Sequence, residues 1–184
     1  NSGDTLFAGT AGGVFRSLDN GAHWTEVSTG LADTSVLSLA IHSSGDIFAG
    51  SSSGGVFRST DNGGSWAAAN TGLVSNDIRA LAINSSGHIF AGTFGGGVFR
   101  TTNNGANWTA VNSGLANTKI LSLAANSGGS IFAGTLGGLN GSSFALPLPS
   151  VRYPVGLSCR SILAADLDGD GDMDIAAANT GSFA

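Results

Sequence analysis

The chain repeats itself every 42 residues, and that period limits the folds open to it more than any other feature. "LFAGTAGGVFRSLDNGAHWTEVSTGL" (6–31) matches "IFAGSSSGGVFRSTDNGGSWAAANTGL" (47–73) and "IFAGTFGGGVFRTTNNGANWTAVNSGL" (89–115). Trp24, Trp66 and Trp108 are 42 apart, as are Phe15, Phe57 and Phe99. A fourth copy opens as "IFAGTLGGLNG" (131–141) and then departs from the pattern. The connecting stretches repeat too, as "VLSLAIHSSG" (36–45), "IRALAINSSG" (78–87) and "ILSLAANSGG" (120–129).

Each unit divides into strand-sized pieces. Val36 to Ile41 and its copies are apolar on both faces, which predicts an inner strand sandwiched between neighbouring blades. "IFAG" reads as a second strand and "GVFRS" as a third. Asp-Asn-Gly then closes a tight turn into a fourth strand near Trp, because Asn and Gly tolerate the positive φ such turns need. The recurrent Gly-Leu at 30–31, 72–73 and 114–115 marks passage to the next unit. A 42-residue period with four short strands predicts an all-β fold of β-propeller type, each blade being four antiparallel strands. Helices have no place in it. Thirty glycines and only 10% charged residues agree, and the regular return of Leu, Ile, Val and Phe argues against disorder.

The pattern S/T-x-D-x-G-x-x-W resembles the Asp-box, or BNR, repeat of sialidases and of many non-enzymatic secreted propellers. The match runs over residues 1 to 138 and falls on Ser17, Asp19, Gly21 and Trp24; on Ser59, Asp61, Gly63 and Trp66; and on Thr101, Asn103, Gly105 and Trp108. The resemblance implies a turn between the third and fourth strands, far from any catalytic face, with Trp packed inward. Asn103 replaces the expected Asp and keeps an acceptor oxygen while losing the charge, which suits masonry better than catalysis. Arg16, Arg58 and Arg100 form one column and imply a structural or surface role.

Function in a repeat protein is sought where a copy breaks the pattern. Glu26 is matched by Ala68 and Ala110, Arg79 by Leu37 and Leu121, His23 by Ser65 and Asn107, and Lys119 by Asp77. No nucleophile and base come together in these departures. Sialidase chemistry would require an arginine triad, a Tyr/Glu pair and an acidic proton donor. The chain offers one Tyr (Tyr153), one Glu (Glu26) and no early Arg-Ile-Pro motif. A non-enzymatic structural and interaction role is therefore expected; the alternatives are a glycan- or protein-binding propeller of adhesin or lectin type and a fragment of a sialidase-like glycosidase. His23, His42 and His88 lack the mutual spacing of zinc ligands.

The second informative stretch is "DLDGDGDMDIAAAN" (166–179), where five of the twelve acidic residues alternate along the chain. Such crowding is costly without a cation, and oxygen ligands in a Gly-bent loop suit Ca²⁺. Asp166, Asp168, Asp170 and Asp174 supply side chains, Asp172 a backbone carbonyl, and Gly171 the bend. The bidentate Glu of an EF-hand is missing, since Ala177 stands there, and "IAAAN" reads as a strand. The stretch resembles the FG-GAP/VCBS repeat of integrin-α-type propellers, with "FALPLPSVRYPVG" (144–156) upstream. That resemblance implies a structural ion pinning a hairpin. Residues 1–138 are thus expected to form about three and a half Asp-box blades and 139–184 a partial FG-GAP/VCBS blade.

The net charge of −5 and the absence of a basic patch exclude nucleic acid as a partner. Cys159 stands alone, so no intrachain disulfide forms, and a buried thiol is expected. No apolar run reaches the length of a membrane span. Few lysines, the calcium loop and both resemblances point to an extracellular or cell-surface protein whose partners are other protein chains, copies of itself, or surface glycans. The sequence opens on a second strand and stops after the calcium hairpin. Either a small propeller closes on itself, or neighbouring copies complete it through open blade edges.

Overall fold

The computed structural model of the chain describes residues 5–136 and, beyond them, the strands Gly138–Ser142, Arg152–Tyr153, Cys159–Ala165 and Asp174–Asn179. All regular structure among the described residues is β, and no helix is long and apolar enough to cross a membrane.

The first sheet joins β1 (Leu6–Thr10), β2 (Gly13–Ser17) and β3 (Thr25–Glu26) in sequence order. The second joins β4 (Val36–Ile41), β5 (Ile47–Ser51), β6 (Val56–Ser59) and β7 (Ala67–Ala68). The third joins β8 (Ile78–Ile83), β9 (Ile89–Thr93), β10 (Gly97–Thr101) and β11 (Thr109–Ala110). The fourth joins β12 (Ile120–Ala125), β13 (Ile131–Thr135), β14 (Gly138–Ser142) and β15 (Arg152–Tyr153). A hairpin of β16 (Cys159–Ala165) and β17 (Asp174–Asn179) follows. All pairings between named strands are antiparallel, so each sheet is a meander, the blade anticipated from the period.

The blades stack in chain order: the inner strand β4 packs against β8 and against β1, a second strand, and β12 packs against β8 and β16. The hydrophobic core lies between blades rather than within them. Val14 and Val27 of the first blade pack with Val36, Ile47, Ala49, Phe57 and Trp66 of the second. The same arrangement recurs one blade on, where Phe48 and Val56 meet Ile78, Ile89, Ala91, Phe99 and Trp108. Period-2 alternation explains the division. In β5, Ile47 and Ala49 face the preceding blade while Phe48 faces the following one.

The inner strands differ from expectation. They carry exposed residues at Leu37 and Ile41, whereas every residue of β5 and β9 is buried. The inner strand is the edge of its sheet, so the second strand is the one covered on both faces. Each inner strand also contains a β-bulge at the same place, falling on Leu37, Arg79, Leu121 and Arg160.

Antiparallel order gives the stack two ends. One, here the entry end, carries the segments leading into the inner strands and the β5–β6 and β9–β10 loops. The other carries the turns between third and fourth strands.

Candidate functional site at the entry end

The three Asp-Asn-Gly or Asn-Asn-Gly turns close in one way. Asn20, Asn62 and Asn104 have φ of 57°, 59° and 53°, and the glycines after them are also at positive φ. Two successive positive-φ residues between Asp19 O and Ala22 N are the mark of a type I′ hairpin turn. Ser17 Oγ donates to Asp19 Oδ1 and accepts from Gly21 N, both at 2.8 Å, and Asp19 Oδ1 accepts from His23 N. Ser59, Asp61, Gly63 and Ser65 repeat the set. Thr101, Asn103, Gly105 and Asn107 repeat it without the charge.

These carboxylates are held ionised by local donors. The Ser65 hydroxyl, the Ser65 N–H and Ser59 Oγ lower the Asp61 pKa to about 2. Hydrogen bonds from the His23 N–H, the His23 ring and Ser17 Oγ lower that of Asp19. A folded-state pKa below the unfolded one gives stability that is complete above about pH 4 and is lost as pH falls toward 2. Asp61→Asn, which copies Asn103, is expected to keep the turn and remove that part of the acid sensitivity. Urea midpoints at about pH 5 and about pH 2.5 check this, and an unchanged pH difference would contradict it.

The turns also stitch blade to blade. Trp66 Nε1 donates to Val27 O at 2.7 Å and Trp66 N to Thr29 O at 2.9 Å, both acceptors being in the preceding unit. Trp108 does the same to Ala69 O and Thr71 O. Arg16 Nη1 donates to Asn62 O, while Arg58 and Asn104 share Asp46 Oδ2. Trp66 and Trp108 are 5% and 2% exposed, whereas Trp24 is 44% exposed and so departs from the inward packing expected of it. Between the second and third blades, Ala67, Ala68 and Ala69 stand where the first blade has Thr25, Glu26 and Val27. They leave a groove of about 330 Å³ floored by Trp66.

The entry end also breaks the repeat, as His23 and Glu26 do at the turn end. Asp33 caps the β5–β6 loop of the second blade, accepting from Ser35 N, Ser53 N and Gly54 N, and these bonds hold its carboxyl well below the usual range. Ser75 replaces it one unit on, and a different cluster forms. Phe94, the counterpart of Ser52, is tied to two neighbours: Phe94 N donates to Asp77 O at 2.9 Å, and Phe94 bridges to Lys119. Arg79 Cζ lies 5.0 Å from the Phe94 ring centroid and Lys119 Nζ 5.4 Å from it. Arg79 Nη2 donates to Asp77 Oδ2 at 2.7 Å, and its Nε lies 2.6 Å from Oδ1.

Two departures that the sequence placed on different blades therefore meet on one ring. Phe94 was the missed member, although subtraction offers a signal, since Ser52 and Leu136 occupy its position in the neighbouring copies. The bulge re-aims Arg79 where an unbroken strand would continue the alternation.

Residues 4–143 match the DUF6242 beta propeller domain. The chain belongs to that family. No curated protein matches this DUF6242 propeller. Among solved structures, it is similar to the extracellular domain of the component-system protein BT4673 from B. thetaiotaomicron, with 19% identity and a TM-score of 0.75 over 96% of this chain and 25% of that one. The extracellular domain of BT3049 from the same organism gives 21% and 0.71, over 94% and 24%. The GH74 enzyme of Niastella koreensis gives 20% and 0.67, over 95% and 26%. The chain thus spans about a quarter of the length of each, and at these identities the likeness establishes the fold.

The metal residues expected in the DUF6242 chain fall mostly elsewhere. Asp166, Asp168, Asp170 and Asp172 lie outside the described residues, and Asp174 opens β17. The flanking strands are described, and Ala165 pairs with Asp174, so the acidic stretch joins two antiparallel strands. Cys159 opens β16. Among the described residues, no three His, Cys, Asp or Glu gather as metal ligands.

Proposed function

We propose that the chain is a secreted or cell-surface, non-enzymatic propeller serving as a structural and interaction module, with partners bound at the entry end. The carrying observation is the contrast between the two ends. The turns engage their polar groups in hydrogen bonds within the turn and to neighbouring blades, while Arg79, Phe94 and Lys119 converge at the entry end. No nucleophile is paired with a base in that cluster. The extracellular domains among the similar structures support the location. On this reading the turns are Asp-boxes whose role is to staple each blade to the one before. Self-assembly through open blade edges is one form the module takes. Incubation with neutral and acidic oligosaccharides, followed by chromatography, is expected to return them uncleaved. Turnover abolished by Arg79→Leu would overturn the non-enzymatic reading.

The reading includes Ca²⁺ near the C-terminus, in an FG-GAP/VCBS-type segment whose hairpin is β16–β17, since β14 and β15 complete the fourth sheet. The antiparallel β16–β17 pair brings the ends of the acidic stretch together, and a hard, all-oxygen donor set from Asp166, Asp168, Asp170, Asp172 and Asp174 fits that ion. The bound ion would offset carboxylate repulsion and fix the hairpin. Ca²⁺ at tenfold its Kd is expected to raise the melting temperature by about 3–6 °C, reversed by chelator. A flat calorimetric titration at millimolar Ca²⁺ ends this part of the proposal.

A further inference from the structure

Building on the entry end as the partner-binding face, we infer that Arg79, Lys119 and Phe94 form a site for a carboxylated saccharide, a uronate unit. The charge at this place is unusual for the chain. Two of its seven cations meet there against the single carboxylate of Asp77, on a protein of net charge −5. Asp77 Oδ2 accepts from Nη2 of Arg79, Oδ1 lies 2.6 Å from Nε without forming a hydrogen bond, and Nη1 has no partner among the described residues. Lys119 Nζ likewise has no hydrogen-bond acceptor among the described residues and rests on the Phe94 ring. Asp33, the nearest acid by repeat position, is committed to the Ser35, Ser53 and Gly54 amides of its own blade. Arg160 occupies the bulge position two inner strands beyond Arg79.

Two cations beside one acid suit a monoanion rather than a polyphosphate, which would need a longer basic track. Leu136 N donates to Lys119 O, and apolar residues stand at the corresponding repeat positions of the flanking blades. Leu37 is 42% and Leu136 39% exposed, at the bulge and loop positions of the flanking blades, and Phe94 is half-buried. A uronate joins a carboxylate to a rigid ring with an apolar C–H face, so one unit meets both features with little rotamer entropy lost. An acidic peptide side chain offers the charge without the rigid face.

The repeat itself suggests the variants, since the neighbouring copies carry other residues at the equivalent positions. Arg79→Leu copies Leu37 and Leu121, Lys119→Ser copies Ser35, and Phe94→Ser copies Ser52. Calorimetry and amide NMR on the intact chain would compare trigalacturonate, neutral galactotriose and poly-glutamate at matched carboxylate. Trigalacturonate is expected to bind, with shifts centred on Arg79, Phe94 and Lys119, and to weaken about tenfold or more in R79L and in K119S. Galactotriose should leave these amides unmoved. Poly-glutamate binding as tightly would replace the saccharide by an acidic protein. Galactotriose shifting these amides while trigalacturonate does not would overturn the uronate and leave the binding face standing. Silence of this end toward all three probes would overturn both.

Discussion

Trp108→Ala is expected to lower the unfolding free energy by about 3–5 kcal/mol, and Trp66→Ala by a similar amount, while Trp24→Ala costs about 1 kcal/mol or less. The three residues are one motif position, so local sequence gives no reason for the difference. It comes from what each indole meets. Trp108 fills the interblade core with Phe48, Val56 and Phe99 and donates to Ala69 O, so truncation leaves a cavity and an unpaired half-buried carbonyl. Trp24 is 44% exposed, and no such bond is made by it among the described residues. Trp108→Phe separates the two contributions, since it keeps most of the volume and loses the donor, and it should fall between them. Urea denaturation at neutral pH measures all four. Equal losses for Trp24 and Trp108 would show that the indole stabilises its own hairpin and not the junction.

Strands and turns were legible because they are local and repeated. Apolar alternation in "IFAG", Asn-Gly in the turn and the 42-residue return together dictate a meander. The relation between units was less legible. Which strand is buried on both faces depends on how far each sheet edge projects from the stack, and the inner strand proved the more exposed. The entry-end cluster was half legible: subtraction found Arg79 and Lys119. Their meeting requires the β9–β10 loop of one blade to pair with the segment leading into β12 of the next, through Phe94 and Lys119. No pattern within a single repeat encodes that contact. The Asn103 substitution was informative from the start, because a turn that works with an amide has no need of an ionised group, and Thr101 Oγ1 and Asn103 Oδ1 both still accept turn N–H groups.

The stitch has a backbone half as well, and Gly72→Ala probes it. Gly72 sits at φ +93°, and a Cβ there would lie 2.2 Å from Trp108 O; Gly30 stands in the same relation to Trp66 O. Neither acceptor is the end of a flexible side chain, so the blades themselves must separate. Left-handed strain and overpacking together are expected to cost about 2–5 kcal/mol for Gly72→Ala. Gly114, at φ +82°, is the next copy of this position and meets nothing within 4 Å among the described residues. Gly114→Ala should therefore show the conformational cost alone, about 1–2 kcal/mol. Chemical denaturation of the two variants isolates the steric part as their difference. If the two substitutions cost the same, the Gly-Leu step is conserved in this chain for its φ alone, and close approach of the next Trp carbonyl plays no part. If Gly72 is the costlier, then passage between blades requires glycine because the following turn's backbone occupies the space a side chain would take. Combining Gly72→Ala with Trp108→Ala then gives less than the sum of the single losses, since both open one junction.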